Sequence, residues 1–209
     1  MKLKRLLCSA LLAVAVTFNV QADDIVAGQH YQEIKPPVPT SVGADKVEVL
    51  ELFWYGCPHC YAFEPQLKEW LAKKPDYVEF VRVPAVFAHN WEVHARAYYA
   101  AIQLGVLDKI HSALFDAIHR DGRKVFSEDE LMAFFADHGV PEAEFRKAYE
   151  SFDVDTKTRQ AISLTRQYGI TGVPAIIING KYRTSGQEAG DYGTLLKVVE
   201  TLADKEHKR

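Results

Sequence analysis

Between Lys46 and Trp54 the chain reads Lys-Val-Glu-Val-Leu-Glu-Leu-Phe-Trp, with apolar side chains on both faces of an alternating pattern. That distribution predicts a central β-strand covered on both sides. Gly56 interrupts it, and Cys57-Pro58-His59-Cys60 opens a stretch in which Tyr61, Phe63, Leu67, Trp70 and Leu71 recur near helical spacing. Pro58 suits the first helical turn, where its missing N–H costs nothing. The segment therefore predicts a strand-to-helix junction with a cysteine at the helix N-terminus. A second strand is expected at Val78 to Val83, after the stop signal Lys73-Lys74-Pro75-Asp76.

From about residue 87 to 161 the pattern is helical. Asn90 is expected to cap a helix reaching Leu104, and Leu107, Ile110, Leu114 and Ile118 form the apolar stripe of the next. Ser127-Glu128-Asp129-Glu130 reads as a capping box ahead of Leu131, Phe134 and Phe135, with Gly139 closing that helix. Pro141 starts another, with Phe145, Ala148, Tyr149 and Phe152 expected to face inward. The β pattern resumes over Val173 to Ile178. Asn179-Gly180 is a hairpin signal leading into Lys181-Tyr182-Arg183. A terminal amphipathic helix follows, carrying Tyr192, Leu195, Leu196, Val199 and Leu202. Pro36-Pro37-Val38-Pro39 predicts an extended entry to the fold. The whole is a mixed α/β layout with a helical excursion packed on one end.

Composition changes this picture little: 209 residues, 48% hydrophobic and 25% charged, make an ordinary folded chain. Charge changes it more, because three of the 25 basic residues, Lys2, Lys4 and Arg5, sit at the N-terminus. They precede an apolar run from Leu6 to Phe18 and the close Val20-Gln21-Ala22, so residues 1–22 read as a secretory signal peptide cleaved after Ala22. The run is too short for a membrane anchor, which needs about 20 apolar residues. Leu7 and the small apolar stretch before Cys8 argue against lipoprotein processing. Cleavage takes the formal charge from −3 to −6, and an acidic body lacks the electrostatics that drive nucleic-acid binding.

Cleavage also leaves two cysteines, Cys57 and Cys60. A bridge across a single turn closes too small a loop to add much stability, so its value is chemical. A structural zinc site needs four ligands. No second cysteine pair exists, and His89, His94, His111, His119 and His138 are irregularly spaced in the excursion. Covalent haem attachment requires a histidine directly after the second cysteine, where Tyr61 stands.

Phe53-Trp54-Tyr55-Gly56-Cys57-Pro58-His59-Cys60-Tyr61, Thr171-Gly172-Val173-Pro174 and Asn179-Gly180-Lys181-Tyr182, in this order around a helical insert, resemble a DsbA-type periplasmic thiol:disulfide oxidoreductase. The resemblance spans the mature chain. It implies a thioredoxin fold, residues 23–86 and 162–209, with an inserted helical domain over residues 87–161. A thiol attacks a disulfide only as thiolate. At the helix N-terminus the Cys57 sulfur can meet unpaired N–H groups and the positive end of the dipole, and His59 adds a donor or a cation. Cys60, one turn deeper, suits the resolving partner. A lowered Cys57 pKa and an oxidising disulfide are what the family resemblance implies.

On the residues alone, Pro174 reads as a trans strand-entry proline, and Glu51 as an acid in an otherwise apolar row with Val47, Val49 and Phe53, the alternative being a strand-end carboxylate open to solvent. The resemblance implies instead a cis Pro174 beside the dithiol, backbone groups of Val173 that pair with an extended substrate, and Glu51 as proton acceptor for the Cys60 thiol. Arg82 on the neighbouring strand aligns as a basic partner whose role is electrostatic. The expected activity is donation of the Cys57–Cys60 disulfide to reduced, unfolded exported proteins through a mixed disulfide on Cys57 that Cys60 resolves. A membrane, quinone-linked oxidase of the DsbB kind would reoxidise a monomeric periplasmic enzyme that uses no metal or organic cofactor. The rival readings are a disulfide isomerase or reductase and a non-catalytic, chaperone-like peptide-binding module. The short stretch from Asp23 to about Asp45 leaves no room for the dimerisation domain typical of isomerases, and the two cysteines argue against a redox-inert binder.

Overall fold

The computed structural model describes residues 25–209. The leader, its cleavage site and Cys8 lie outside the described residues. Five strands form one mixed sheet, β1 (Gln32–Glu33), β2 (Val47–Phe53), β3 (Val78–Pro84), β4 (Ala175–Ile178) and β5 (Tyr182–Ser185), in the order β1-β5-β4-β2-β3. β2 lies at its centre, parallel to β3 and antiparallel to β4, and all seven of its residues are buried. This is the strand expected from the two-sided apolar pattern. The register sets Glu51 directly opposite Arg82 on β3.

Helix α1 (Pro58–Leu71) follows β2, and α8 (Tyr192–His207) closes the chain. Phe63, Leu67 and Trp70 from α1 meet Leu195, Val198, Val199 and Leu202 from α8 in one buried cluster with Val47, Val49, Ile176 and Ile178. Leu50, Leu52, Phe53 and Ile177 belong to a second cluster with the excursion. That excursion comprises α2 (His89–Gln103), α3 (Leu107–His119), α4 (Glu128–Asp137), α5 (Glu142–Tyr149) and much of α6 (Phe152–Gln167). Both halves of the capping box are made: Ser127 Oγ accepts from Glu130 N at 3.3 Å, and Glu130 Oε2 accepts from Ser127 N at 3.0 Å.

Two local expectations fail for reasons of helix register. Phe152 is 77% exposed, not inward, because the helix begun after Pro141 ends at Tyr149. Ser151 then caps a fresh helix by accepting from Val154 N, and α6 turns Val154, Thr158, Ala161 and Thr165 inward instead. Asn90 caps nothing: Ala88 holds the N-cap of α2 without a side-chain bond, and Asn90 lies inside the first turn. α6 runs unbroken through residues 161 and 162 and returns the chain to the sheet.

At the hairpin, Asn179 (φ 50°) and Gly180 (φ 65°) both take the left-handed conformation of the tight turn. A Cβ on Gly180 would lie 1.9 Å from the Val38 carbonyl oxygen. The proline-rich entry thus packs on the hairpin, and the residues before it add the short edge strand β1. A short helix, α7 (Gly186–Ala189), joins β5 to α8. Among the described residues no helix is long and apolar enough to cross a membrane.

Candidate active site

Cys57 is the N-cap of α1, with Pro58 in the first helical position, as the junction predicts. Its sulfur accepts from Cys60 N at 3.4 Å, so one orphan N–H of the helix start points at it. Both thiols are free. Cys57 keeps 7% of its surface and Cys60 none, so both cysteines are more enclosed than a helix end on the surface would be. Pro58 and His59 are exposed.

The two sulfurs are driven apart in acidity. The hydrogen bond from the Cys60 side chain, followed by the N–H groups of Cys60 and His59 and the charge of His59, outweighs burial and brings Cys57 down to about 6. Cys60 is pushed well above the usual thiol range, first by burial and then by donating to the Cys57 sulfur and facing its charge. One contact opposes ionisation of Cys57: its S–H donates to the Val173 carbonyl at 3.3 Å, an acceptor that only the protonated form can use.

Beneath the dithiol Glu51 is wholly buried. Arg82 Nε donates to its Oε2 at 2.7 Å, while Oε1 has no partner. Burial pushes the Glu51 carboxyl up to about 7 against the opposing charge of Arg82, and the nearby Glu64 adds to the rise. Arg82 is shared, because its Nη2 donates to Glu64 Oε1 at 2.7 Å. For Glu64, burial is outweighed by the hydrogen bond from His111 and the charge of Arg82, and its carboxyl stays below the ordinary range. Hydrogen bonding fixes the rest of the chain of contacts: with His111 Nε2 donating to Glu64 at 3.5 Å, His111 Nδ1 must accept from the Tyr55 hydroxyl at 2.8 Å. The solvent-open reading of Glu51 is thereby removed, and Arg82 stands where the sequence placed it.

Val173 and Pro174 sit beside Cys57, and their peptide bond is cis. β4 begins at Ala175 and not at Val173 as expected. A groove of about 1090 Å³ opens next to them, lined by His59 and Gln66 from α1, the Ile170–Ala175 loop and the segment ahead of α8. Tyr192 crosses it, its hydroxyl donating to the His59 carbonyl at 2.9 Å.

Sequence reasoning missed Tyr55, Glu64, His111 and His119. His119 Nε2 donates to the Tyr55 carbonyl at 2.7 Å, and its ring stacks on Tyr61 at 5.0 Å. The insert therefore grips the residues flanking the dithiol through two histidines of α3. A spacing of eight residues on one helix was the available signal, but only the fold shows that it meets Tyr55 and the first turns of α1. Among the described residues no cluster of three or more His, Cys, Asp or Glu side chains is arranged to hold a metal.

A cysteine pair opening a helix after a central strand, with an apposed cis proline and a buried acid, defines a thioredoxin-fold dithiol enzyme. A family model described as a DSBA-like thioredoxin domain matches residues 48–192. The chain is 42% identical over 206 residues to the thiol:disulfide interchange protein DsbA of Pseudomonas aeruginosa, covering 98% of this chain and 97% of that one. It is 41% identical over 207 residues to the DsbA of Pseudomonas syringae pv. tomato, covering 98% and 96%. The crystal structure of Pseudomonas aeruginosa DsbA superposes with a TM-score of 0.84 over 90% of this chain and 97% of that chain. The oxidoreductase DsbA from Xylella fastidiosa, at 35% identity, gives 0.82 over 88% and 98%. The chain belongs to the DsbA family and is a thiol:disulfide oxidoreductase.

Proposed function

We propose that the oxidised protein donates its Cys57–Cys60 disulfide to reduced proteins exported from the cytoplasm. The observation that carries this reading is the opposite displacement of the two thiols, Cys57 down to about 6 and Cys60 well up. A thiolate that only the reduced protein possesses, and that the fold stabilises, makes reduction of the disulfide favourable. In the forward reaction a client thiolate attacks Cys57 Sγ. The Cys57–Cys60 bond breaks, and Cys60 leaves with the electron pair and takes up a proton. A second client thiolate then attacks the client sulfur of the mixed disulfide, expelling Cys57 as thiolate, and two electrons have passed from client to protein.

Glu51 suits the proton step, since a carboxyl near pH 7 can give a proton to the departing Cys60 and accept it back on reoxidation. Attack by Cys60 on the mixed disulfide with a client would return that client unoxidised. Its productive attack is on the mixed disulfide formed with a reoxidising partner, which corrects the role expected for Cys60 in client release. The backbone of Val173, next to the Cys57 sulfur, supports docking of an extended client as an added strand. The reaction needs no metal or organic cofactor, and a membrane quinone-linked oxidase is the proposed electron acceptor. Residues 1–22 supply the export signal, and the periplasm is the proposed location. Mixing oxidised protein with an equimolar reduced, denatured two-cysteine protein at pH 7 tests the reading. Transfer of the disulfide is expected, and Cys57→Ala should be inert. Client thiols left free by wild-type protein would overturn it.

A further inference from the structure

Tyr192 is the first residue of α8, held there by Asp191, whose side chain accepts from Thr194 N at 2.9 Å. From this position it leans across the groove. Its hydroxyl reaches the His59 carbonyl, inside the Cys-Pro-His-Cys motif itself. Its ring lies 5.0 Å from that of Phe63, a fully buried residue of α1. The other side of the ring rests where Gly186 has no side chain: a Cβ there would stand 2.8 Å from Cε1 and 3.1 Å from Cδ1. Three contacts from two elements, α1 and α7, thus fix one half-buried phenol at the start of α8, beside the Val173–Pro174 loop.

We infer that Tyr192 is a specificity-determining residue, a wall that bars the groove at His59 and limits the size of the client side chain flanking the reacting cysteine. This rests on the oxidase reading above and deepens it. A chain pairing with Val173 brings its cysteine to Cys57 and one neighbouring side chain toward the phenol. Small neighbours fit the space that remains, and large aromatic ones meet the ring. A mismatch of this kind is worth about tenfold or more in kcat/KM. The ring forms the wall and the hydroxyl only latches it, so Tyr192→Phe keeps the discrimination and Tyr192→Ala removes it. Gly186→Ala leaves Tyr192 in place but drives its ring off the seat. Gly186 does not have the left-handed conformation that would strain an alanine.

The test uses two dithiol peptides identical except for alanine or tryptophan beside the first cysteine, and reads the ratio of their kcat/KM values with oxidised protein. A ratio cancels any general loss of activity in a variant. Wild type and Tyr192→Phe should favour the alanine peptide by about tenfold, and Tyr192→Ala and Gly186→Ala should bring the ratio near one. A ratio near one in wild type, or one unchanged in both Tyr192→Ala and Gly186→Ala, would overturn the assignment. Should Tyr192→Ala not fold, Gly186→Ala decides alone. Wild-type protein that oxidises neither peptide would overturn the oxidase reading itself, a result distinct from equal oxidation of both.

Discussion

Relative to the oxidised form, the reduced fold should gain resistance to unfolding as pH rises from 5 to 8, although it lacks a covalent crosslink. The crosslink spans only four residues, and chain entropy assigns such a loop about 2 kcal/mol, independent of pH. Opposing it is the Cys57 thiolate, at about 6 in the fold against about 8.5 in an unfolded chain. An acid with a depressed folded pKa contributes in full above its unfolded pKa and loses that contribution as pH falls through the folded one. The linkage relation gives about 1.4 kcal/mol for reduced protein at pH 7 and almost nothing at pH 5. Cys60 acts in reverse, since its raised pKa keeps it protonated in the fold while the unfolded chain ionises it above about pH 8.5. The difference in unfolding free energy, reduced minus oxidised, should therefore climb by about 2.3 kcal/mol from pH 5 to pH 8 and fall again in stronger base. Because loop entropy and thiolate are of similar size at pH 7, the swing is more diagnostic than the order of the two forms at one pH. Parallel guanidinium melts of both redox forms would show it as a relative midpoint shift of about 0.5 M. A difference that stays flat from pH 5 to 8 would refute the account of Cys57.

Iodoacetamide applied to reduced protein at pH 6 should label Cys57 before Cys60, read by mass spectrometry of the peptide carrying both; preferential labelling of Cys60 would reverse their roles. Glu51→Gln should slow formation of the mixed disulfide at pH 7 by about 10²-fold, the usual yield of a positioned acid, when followed by rapid acid quenching. Since the Glu51 carboxyl lies near 7 by burial, the wild-type rate at constant client thiolate should fall as pH rises through 7, and the variant should lose that dependence.

The parts of the fold written in local pattern were legible, and those made by long-range partners were not. Val47–Phe53, the Pro58 helix start, the Ser127 capping box and the Asn179-Gly180 turn each carry their cause within a few residues. Phe152 was misplaced because an apolar residue after a helical stripe looks like its continuation, and only the Ser151 cap restarts the register. In the site, Cys57, Cys60 and Glu51 stood out by type and position. Glu64 carries no local signal, and its meaning comes from Arg82 on β3 and His111 on α3, 18 and 47 residues away. Tyr192 fitted the apolar stripe of α8, yet its hydroxyl reaches His59, 133 residues earlier. Glu51 did announce a distant partner, because a charge in a doubly covered strand demands one.

A disulfide made oxidising by a stabilised Cys57 thiolate has a signature in the midpoint potential of the dithiol, measured against glutathione as a function of pH. With both thiols protonated the potential falls by about 59 mV per pH unit, and with Cys57 ionised by about 30 mV, since two electrons then carry one proton. A potential above that of glutathione at pH 7 is expected, with a change of slope near pH 6, where Cys57 ionises. A potential below glutathione's, with one unbroken slope up to pH 8, would contradict it.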